Sequence, residues 1–234
     1  MDIKIIYEDN DVLVVDKPAG VVVFPEGDIT REKTLIDYLV EKYPELGGLG
    51  DPPRFGIVHR LDKDTSGILL VAKSRDSLIF FQKQFKNREV EKKYIALVIG
   101  EIKDDKGLIE TLIGRAPGDK RKQKVYLAGE PGSENKREAI TEYKVLQGYG
   151  DYTLLEVKIK TGRRHQIRCH LSYIHHPIAG DKMYGFKDSP VCKGLTRQFL
   201  HAAYLKIKLP GGETKEFRSE LPEELNNVLK NLKN

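Results

Sequence analysis

The chain has 234 residues, of which 39% are hydrophobic and 32% charged, with a net charge of +5 at pH 7 and a pI near 8.9; this is enough for one sizeable core and favours a polyanionic partner. No apolar stretch approaches the roughly 20 residues of a membrane span, which excludes a spanning protein. Two cysteines, Cys169 and Cys192, with no Cys-x-x-Cys pair, exclude a disulfide framework and a thiolate zinc site. Met1-Asp2-Ile3-Lys4 has neither the basic nor the apolar region of a signal peptide, so the cytoplasm is the expected location.

Apolar runs at 3–7, 12–15 and 21–24 are separated by Glu8-Asp9-Asn10-Asp11 and Pro18-Ala19-Gly20, which predicts consecutive strands with tight turns. Leu35, Ile36, Leu39, Val40 and Tyr43 then recur at helical spacing. Thr30 is the candidate N-cap, and Gly47-Gly48 lies past the helix end. Asp51-Pro52-Pro53 breaks that pattern. Next, polar residues crowd into His59-Arg60-Leu61-Asp62-Lys63-Asp64-Thr65-Ser66-Gly67, and the aliphatic run 68–71 follows before Ala72-Lys73. The run reads as a buried strand and Thr-Ser-Gly as turn chemistry. His59, Arg60, Asp62 and Asp64 thus fall on a loop at the mouth of a strand, where catalytic groups are often carried. The plain alternative is a solvated turn capped by its own Asp and Thr side chains.

Ser74 can cap a second helix with Leu78, Phe81 and Phe85 on one face; core packing explains those rings better than base stacking. Alternation along 90–99 puts Val90, Lys92, Tyr94, Ala96 and Val98 on one face of a strand. Arg115, Lys120, Arg121, Lys122 and Lys124 cluster around Pro117-Gly118. They predict a basic loop or hairpin, either solvated or in contact with phosphate. A further hairpin runs from Thr141 through Gly148-Tyr149-Gly150-Asp151 to Lys160.

Ile167, Leu171 and Ile174 predict a helix over 161–174 with Thr161 as N-cap, placing Arg163, Arg164, His165 and Arg168 in its first two turns. Cations there oppose the helix dipole, so an anion should compensate, with a bound phosphate and the Asp62 carboxylate as candidates. His165 and His170 are five apart, about 140° off alignment on a helix, which argues against a metal pair. His201, a strand-like run to Leu209, the Gly211-Gly212 turn and a helix over 221–232 complete the pattern.

Taken together, His59-Arg60-Leu61-Asp62, Thr65-Ser66-Gly67, the apolar strand and Ala72-Lys73 resemble the signature of the RluA-type pseudouridine synthases, which isomerise uridine to pseudouridine in RNA. Three other stretches match in the family's order. They are Asp16-Lys17-Pro18-Ala19-Gly20, Lys93-Tyr94-Ile95-Ala96-Leu97-Val98-Ile99-Gly100 and Thr161-Gly162-Arg163-Arg164-His165-Gln166-Ile167-Arg168-Cys169-His170. The resemblance covers nearly the whole chain. It implies that Asp62 is the essential aspartate, Tyr94 the active-site tyrosine, and Arg168 the arginine beside the aspartate. Arg60 would help open the stack around the target uridine, and His59, Arg164, Lys120, Arg121 and Lys122 are further substrate-binding candidates. The family often carries a separate RNA-binding module ahead of this sequence, whereas here the catalytic-type sequence begins at the first residues, so RNA recognition is expected from this domain or a partner. Many relatives have histidine where Phe24 stands before Pro25, which leaves the role of that position open.

The expected fold is mixed α/β (α+β): a mostly antiparallel sheet with flanking helices and Asp62 in a central basic cleft, with residues 1–234 forming a single catalytic domain and a monomer. The expected partner is ribosomal or transfer RNA. Uridine isomerisation changes no redox state and transfers no external group, so no cofactor is expected. A carboxylate can attack at C1′ or remove the C2′ proton, and the residues do not choose between these routes. Arg168 would keep Asp62 ionised, and Tyr94 would stack on the base or move a proton. Two rivals remain: a glycosidase or nucleoside hydrolase using Asp62 and Asp64 as paired carboxylates, and an RNA-binding or chaperone protein that has lost catalysis.

Overall fold

The computed structural model describes residues 3–25 and 32–233. In chain order the strands are β1 (Lys4–Glu8), β2 (Val12–Lys17), β3 (Ser66–Ala72), β4 (Glu91–Ile99), β5 (Lys106–Arg115), β6 (Gln123–Tyr126), β7 (Arg137–Gly148), β8 (Tyr152–Ile159), β9 (Leu200–Lys208) and β10 (Thr214–Arg218). The helices are α1 (Leu35–Lys42), α2 (Arg75–Asn87), α3 (Gln166–Tyr173) and α4 (Glu223–Leu232). This is the expected mixed α+β class, with strand pairs mostly antiparallel. No helix among the described residues is long and apolar enough to cross a membrane. The chain divides into two compact units, one of residues 1–91 with 202–220 and one of residues 92–201 with 221–234.

In the first unit the strand order is β1-β2-β3-β9, with β10 on β9. Val12, Val14, Ile68 and Leu70 pack with Leu78 and Phe81 of α2 and with Leu205, Ile207 and Phe217. Leu13, Val15, Leu69 and Val71 also have no exposed surface. Burial on both faces is why these two strands read as unbroken apolar runs instead of alternating ones. The phenylalanines of α2 are core, as their spacing implies: Phe81 is fully buried and Phe85 packs against the same cluster. Ser74 caps that helix, its Oγ accepting from the Ser77 amide at 3.1 Å while the Ser74 amide donates to Ser77 Oγ.

Two expectations need correction here. Residues 21–24 form no strand, although Val21, Val23 and Phe24 are buried. The carbonyls of Val22 and Val23 instead accept from the Leu35 and Ile36 amides, at 2.8 and 3.0 Å, satisfying donors that open α1 and have no partner within the helix. The cap of α1 is Thr34, whose amide and hydroxyl both donate to Asp37; Thr30 lies outside the described residues.

In the second unit the order is β4-β8-β7-β5-β6. The β7–β8 hairpin turns where the Gly148-Tyr149-Gly150-Asp151 signal places it, and β5 and β6 form the expected basic hairpin. Ile113, Val125, Ala139, Cys169 and Tyr184 make a small core under α3. Burial pushes the Cys169 thiol up to about 12, so this cysteine is packing. The last helix begins at Glu223, and its Glu224 carboxylate accepts from Arg197 at 2.8 Å.

α3 also starts later than its periodicity suggests. Thr161 is not its cap: the Thr161 hydroxyl accepts from the Ile140 amide at 2.9 Å and donates to Gln166 Oε1 at 2.7 Å. Gln166 Oε1 also accepts from the Arg163 amide, and Gln166 Nε2 donates to Ile140 O and Thr141 Oγ1. These bonds hold the stretch before the helix against β7, and the helix opens only after His165, which has a left-handed φ of 53°. Arg163, Arg164 and His165 therefore precede the helix. Of the four residues placed in its opening turns, Arg168 alone lies there.

Candidate active site

The loop that carries Asp62 is held by groups from its own unit. The buried Lys17 ammonium donates to the carbonyls of Pro18, Val21 and Lys63, at 2.8, 2.9 and 3.0 Å. The Gly20 amide reaches the same Lys63 carbonyl at 2.9 Å, and the Thr65 amide closes a turn onto Asp62 O at 3.1 Å. Two stretches distant in sequence, Asp16-Lys17-Pro18-Ala19-Gly20 and the Asp62 loop, are thus one hydrogen-bonded structure. Gly67 has φ +113°, and a Cβ there would strike the Ala202 backbone, so the signature requires glycine at that point. Asp62 is half-buried, whereas Asp64 is exposed.

His59 accepts from the Leu70 amide through Nε2 at 3.0 Å, and its ring stacks on Phe85 at 4.8 Å. That bond requires Nε2 to be unprotonated, and it ties the loop to β3. Arg60 and Arg54 both place their guanidinium carbons 5.1 Å from the Phe24 ring. Phe24 therefore has a physical role: it is a buried platform that holds two arginines by cation–π attraction.

In the second unit Tyr94 is buried on β4, opposite Val157 of β8. Two residues earlier on the same face, burial pushes the Lys92 ammonium down to about 8. Arg168, in the first turn of α3, donates through Nε and Nη2 to Asp181, at 2.6 and 2.9 Å, and its guanidinium lies 5.1 Å from the Tyr184 ring. Asp181 has no side-chain exposure and also accepts from the Met183 and Tyr184 amides. Burial alone would raise the Asp181 pKa, but Arg168 and the two amides outweigh it and hold the carboxyl below its usual range. The Tyr184 hydroxyl accepts from the Gln123 amide at 2.6 Å and bonds His165 Nδ1 at 3.0 Å. The base of the basic hairpin, the residue before α3 and Arg168 are joined through one tyrosine.

Sequence reasoning did not include Asp181 or Tyr184. The nearest signal is Gly180, whose φ of +75° and contact with the Arg197 carbonyl admit no Cβ. The remaining candidates are dispersed. Arg164 lies between Arg163, whose Nε donates to the Glu138 carbonyl, and His165. Lys120 is exposed on the hairpin and Lys122 half-buried. Arg121 forms two hydrogen bonds to Asp119, at 3.0 and 2.9 Å, and these hold that carboxyl down at about 2. His170 is fully buried between Thr111 and Thr141, at 2.9 Å from each. Among the described residues no group of three or more His, Cys, Asp or Glu could hold a metal.

Comparison with known proteins identifies the family. The family model described as RNA pseudouridylate synthase matches residues 11–173. The chain is 42% identical over 235 residues to an uncharacterised RNA pseudouridine synthase of Bacillus subtilis (strain 168), covering 100% of this chain and 74% of that protein. It is 39% identical over 239 residues to ribosomal large subunit pseudouridine synthase D of Nitrosomonas europaea, covering 99% of this chain and 66% of that one. The solved structure of human RNA pseudouridylate synthase domain containing 4 aligns with a TM-score of 0.78 at 27% identity, over 98% of this chain and 93% of that one. That of domain containing 1 aligns with a TM-score of 0.71 at 30% identity, over 99% and 95%. The chain belongs to the RNA pseudouridine synthase family, and the reaction it carries out is the isomerisation of uridine in RNA.

Proposed function

We propose that Asp62 is the reacting carboxylate of this synthase and that large-subunit ribosomal RNA is its substrate, with residues 1–234 acting as one catalytic domain, as a monomer in the cytoplasm. The observation that carries the assignment is the half-buried Asp62 on a loop fixed by Lys17, Gly20 and His59, next to an Asp64 turned out to solvent. The unequal exposure of the two acids disfavours a paired-carboxylate hydrolase, which needs both at the sugar. In the reaction the N1–C1′ bond breaks, the detached uracil turns, C5 bonds to C1′, the C5 hydrogen leaves as a proton, and N1 takes a proton up. Asp62 attacks C1′ or removes the C2′ proton, Tyr94 acts on the base, and Arg168 supplies a fixed positive charge. Arg60, His59, Arg164, Lys120, Arg121 and Lys122 contribute to holding the RNA, with His59 acting through the loop and Arg121 sharing its charge with Asp119. Extruding the target base costs a few kcal/mol, which phosphate contacts must offset. The ribosomal assignment is supported by relatives named as large-subunit synthases; transfer RNA is the alternative.

Tritium release from C5-labelled RNA tests the chemistry. The purified protein should release it, and Asp64→Asn should release it equally well. Cleavage of the glycosidic bond by the parent with the tritium kept on the freed uracil would favour the hydrolase, which does not touch C5. Mapping pseudouridine with and without the gene tests the substrate, and a missing modification in transfer RNA would overturn the ribosomal assignment.

A further inference from the structure

The end of the β5–β6 hairpin encloses a cleft of about 440 Å³ whose wall includes Arg115, Lys120, Lys124, Lys136, Pro117 and Tyr126 and contains no acidic residue. Lys124 and Lys136 bring their ammonium groups to 5.0 and 5.1 Å from the centre of the Tyr126 ring. The Tyr126 hydroxyl donates to the Arg115 carbonyl at 3.0 Å, which fixes the ring in the floor. Gly114 lets the aliphatic stem of Lys136 lie across β5, since a Cβ there would strike its Cδ. Arg115, Lys124 and Tyr126 come from the strands, and Pro117, Lys120 and Lys136 from the connections on either side of β6.

Its charges are uncompensated. Arg121, on the same hairpin, is matched by Asp119 at 2.9 Å, but none of the four cations in the cleft has a carboxylate partner among the described residues. Four like charges around one concavity repel one another, and an anion placed among them adds an attraction to each. The ring in the floor is 4% exposed and carries two ammonium groups, so it offers no face on which a base could stack. Three ammonium groups and one guanidinium suit phosphate oxygens.

We propose that this cleft is a subsite for a backbone phosphate of the RNA, gripping the strand by charge and without regard to base. It rests on the RNA-modifying function above. It adds Arg115, Lys124, Lys136 and the Tyr126 floor to the RNA-contact set, and it removes Arg121 from the direct contacts.

The test is the salt dependence of binding of the full chain to single-stranded oligo-uridylate, followed by fluorescence anisotropy in increasing KCl. Lys124→Gln with Lys136→Gln should lower the slope of log affinity against log salt by about 0.7, since the one phosphate neutralised in the cleft adds about 0.7 to it on a single strand. The control, Lys103→Gln with Lys106→Gln, removes the same charge outside the cleft and should leave the slope at the parent value. Equal slopes for the two double variants, or salt-independent binding by the parent, overturn the subsite. If the first variant fails to fold, Arg115→Gln with Lys120→Gln asks the same question. Inorganic phosphate at matched ionic strength should weaken oligonucleotide binding by the parent more than by the Lys124→Gln/Lys136→Gln variant; an equal effect on both overturns the subsite. Tritium release by the parent reads the function separately. Release with an unchanged slope refutes the cleft alone, and a cleft-dependent slope without release refutes the function alone.

Discussion

In the first unit the turn that carries Asp62 is held through backbone, with the Lys63 carbonyl accepting from the Lys17 ammonium at 3.0 Å and the Gly20 amide at 2.9 Å. In the second unit Arg168 is held through charge, by two hydrogen bonds to a carboxylate with no exposed surface. Removing the Lys17 donors to this turn leaves neutral carbonyls behind. A buried ion pair has the opposite character: neither partner can be removed without stranding the other in a poorly solvated place. The same unit buries His170 as a neutral ring between two threonines. The two regions should therefore respond differently to mutation and to acid.

The largest effect is expected at Asp181. Asp181→Ala leaves the Arg168 guanidinium, whose side chain is 8% exposed, without its carboxylate, and should destabilise the protein by about 3–5 kcal/mol. Chemical denaturation measures this directly. A loss below about 1 kcal/mol, the value of a surface pair, would erase the distinction between the two regions.

Next is the acid response. Burial lowers the His170 pKa from 6.5 to about 4, so the unfolded chain binds more protons than the folded one between those values. The stabilisation from keeping this ring neutral is complete above about pH 6.5 and is lost as pH falls toward about 4, a change of about 3 kcal/mol. Stability profiles of the parent and His170→Gln over that window should diverge, with the parent the steeper. Parallel profiles would mean that the ring is charged in the folded state.

The smallest effect of the three belongs to Lys17→Met. It removes a donor from the carbonyls of Pro18, Val21 and Lys63 and should cost about 1–3 kcal/mol. Chemical denaturation of the variant measures this, and a loss below about 0.5 kcal/mol would mean that these bonds do not hold the Asp62 turn.

The difference between the two regions also explains what could be read from the sequence. The Asp62 loop is contiguous: polar residues, a Thr-Ser-Gly turn and an aliphatic run follow within one short stretch, so its place at the head of β3 is legible. The helices α1 and α2 show their apolar spacing, and Ser74 is a cap in both sequence and structure. The partner of Arg168 is thirteen residues away across a turn, and no periodicity marks Asp181. The start of α3 is hidden for a related reason. Gln166 commits its side chain to Thr161, Arg163, Ile140 and Thr141, a tertiary arrangement that overrides the local helical pattern. Residues 21–24 look like a strand because they are apolar and β-branched, yet their carbonyls go to the start of α1. Phe24 takes its meaning from Arg54 and Arg60 against its ring, a contact that no local pattern announces.

The most direct test of the central claim is single-turnover tritium release from C5-labelled RNA by Asp62→Asn, with RNA binding measured on the same preparation. The amide keeps the shape of the side chain but can neither attack C1′ nor accept a proton. The expected result is no release above background with binding near the parent value. Release at the parent's rate would contradict the account, because the isomerisation would then be carried by a group other than Asp62.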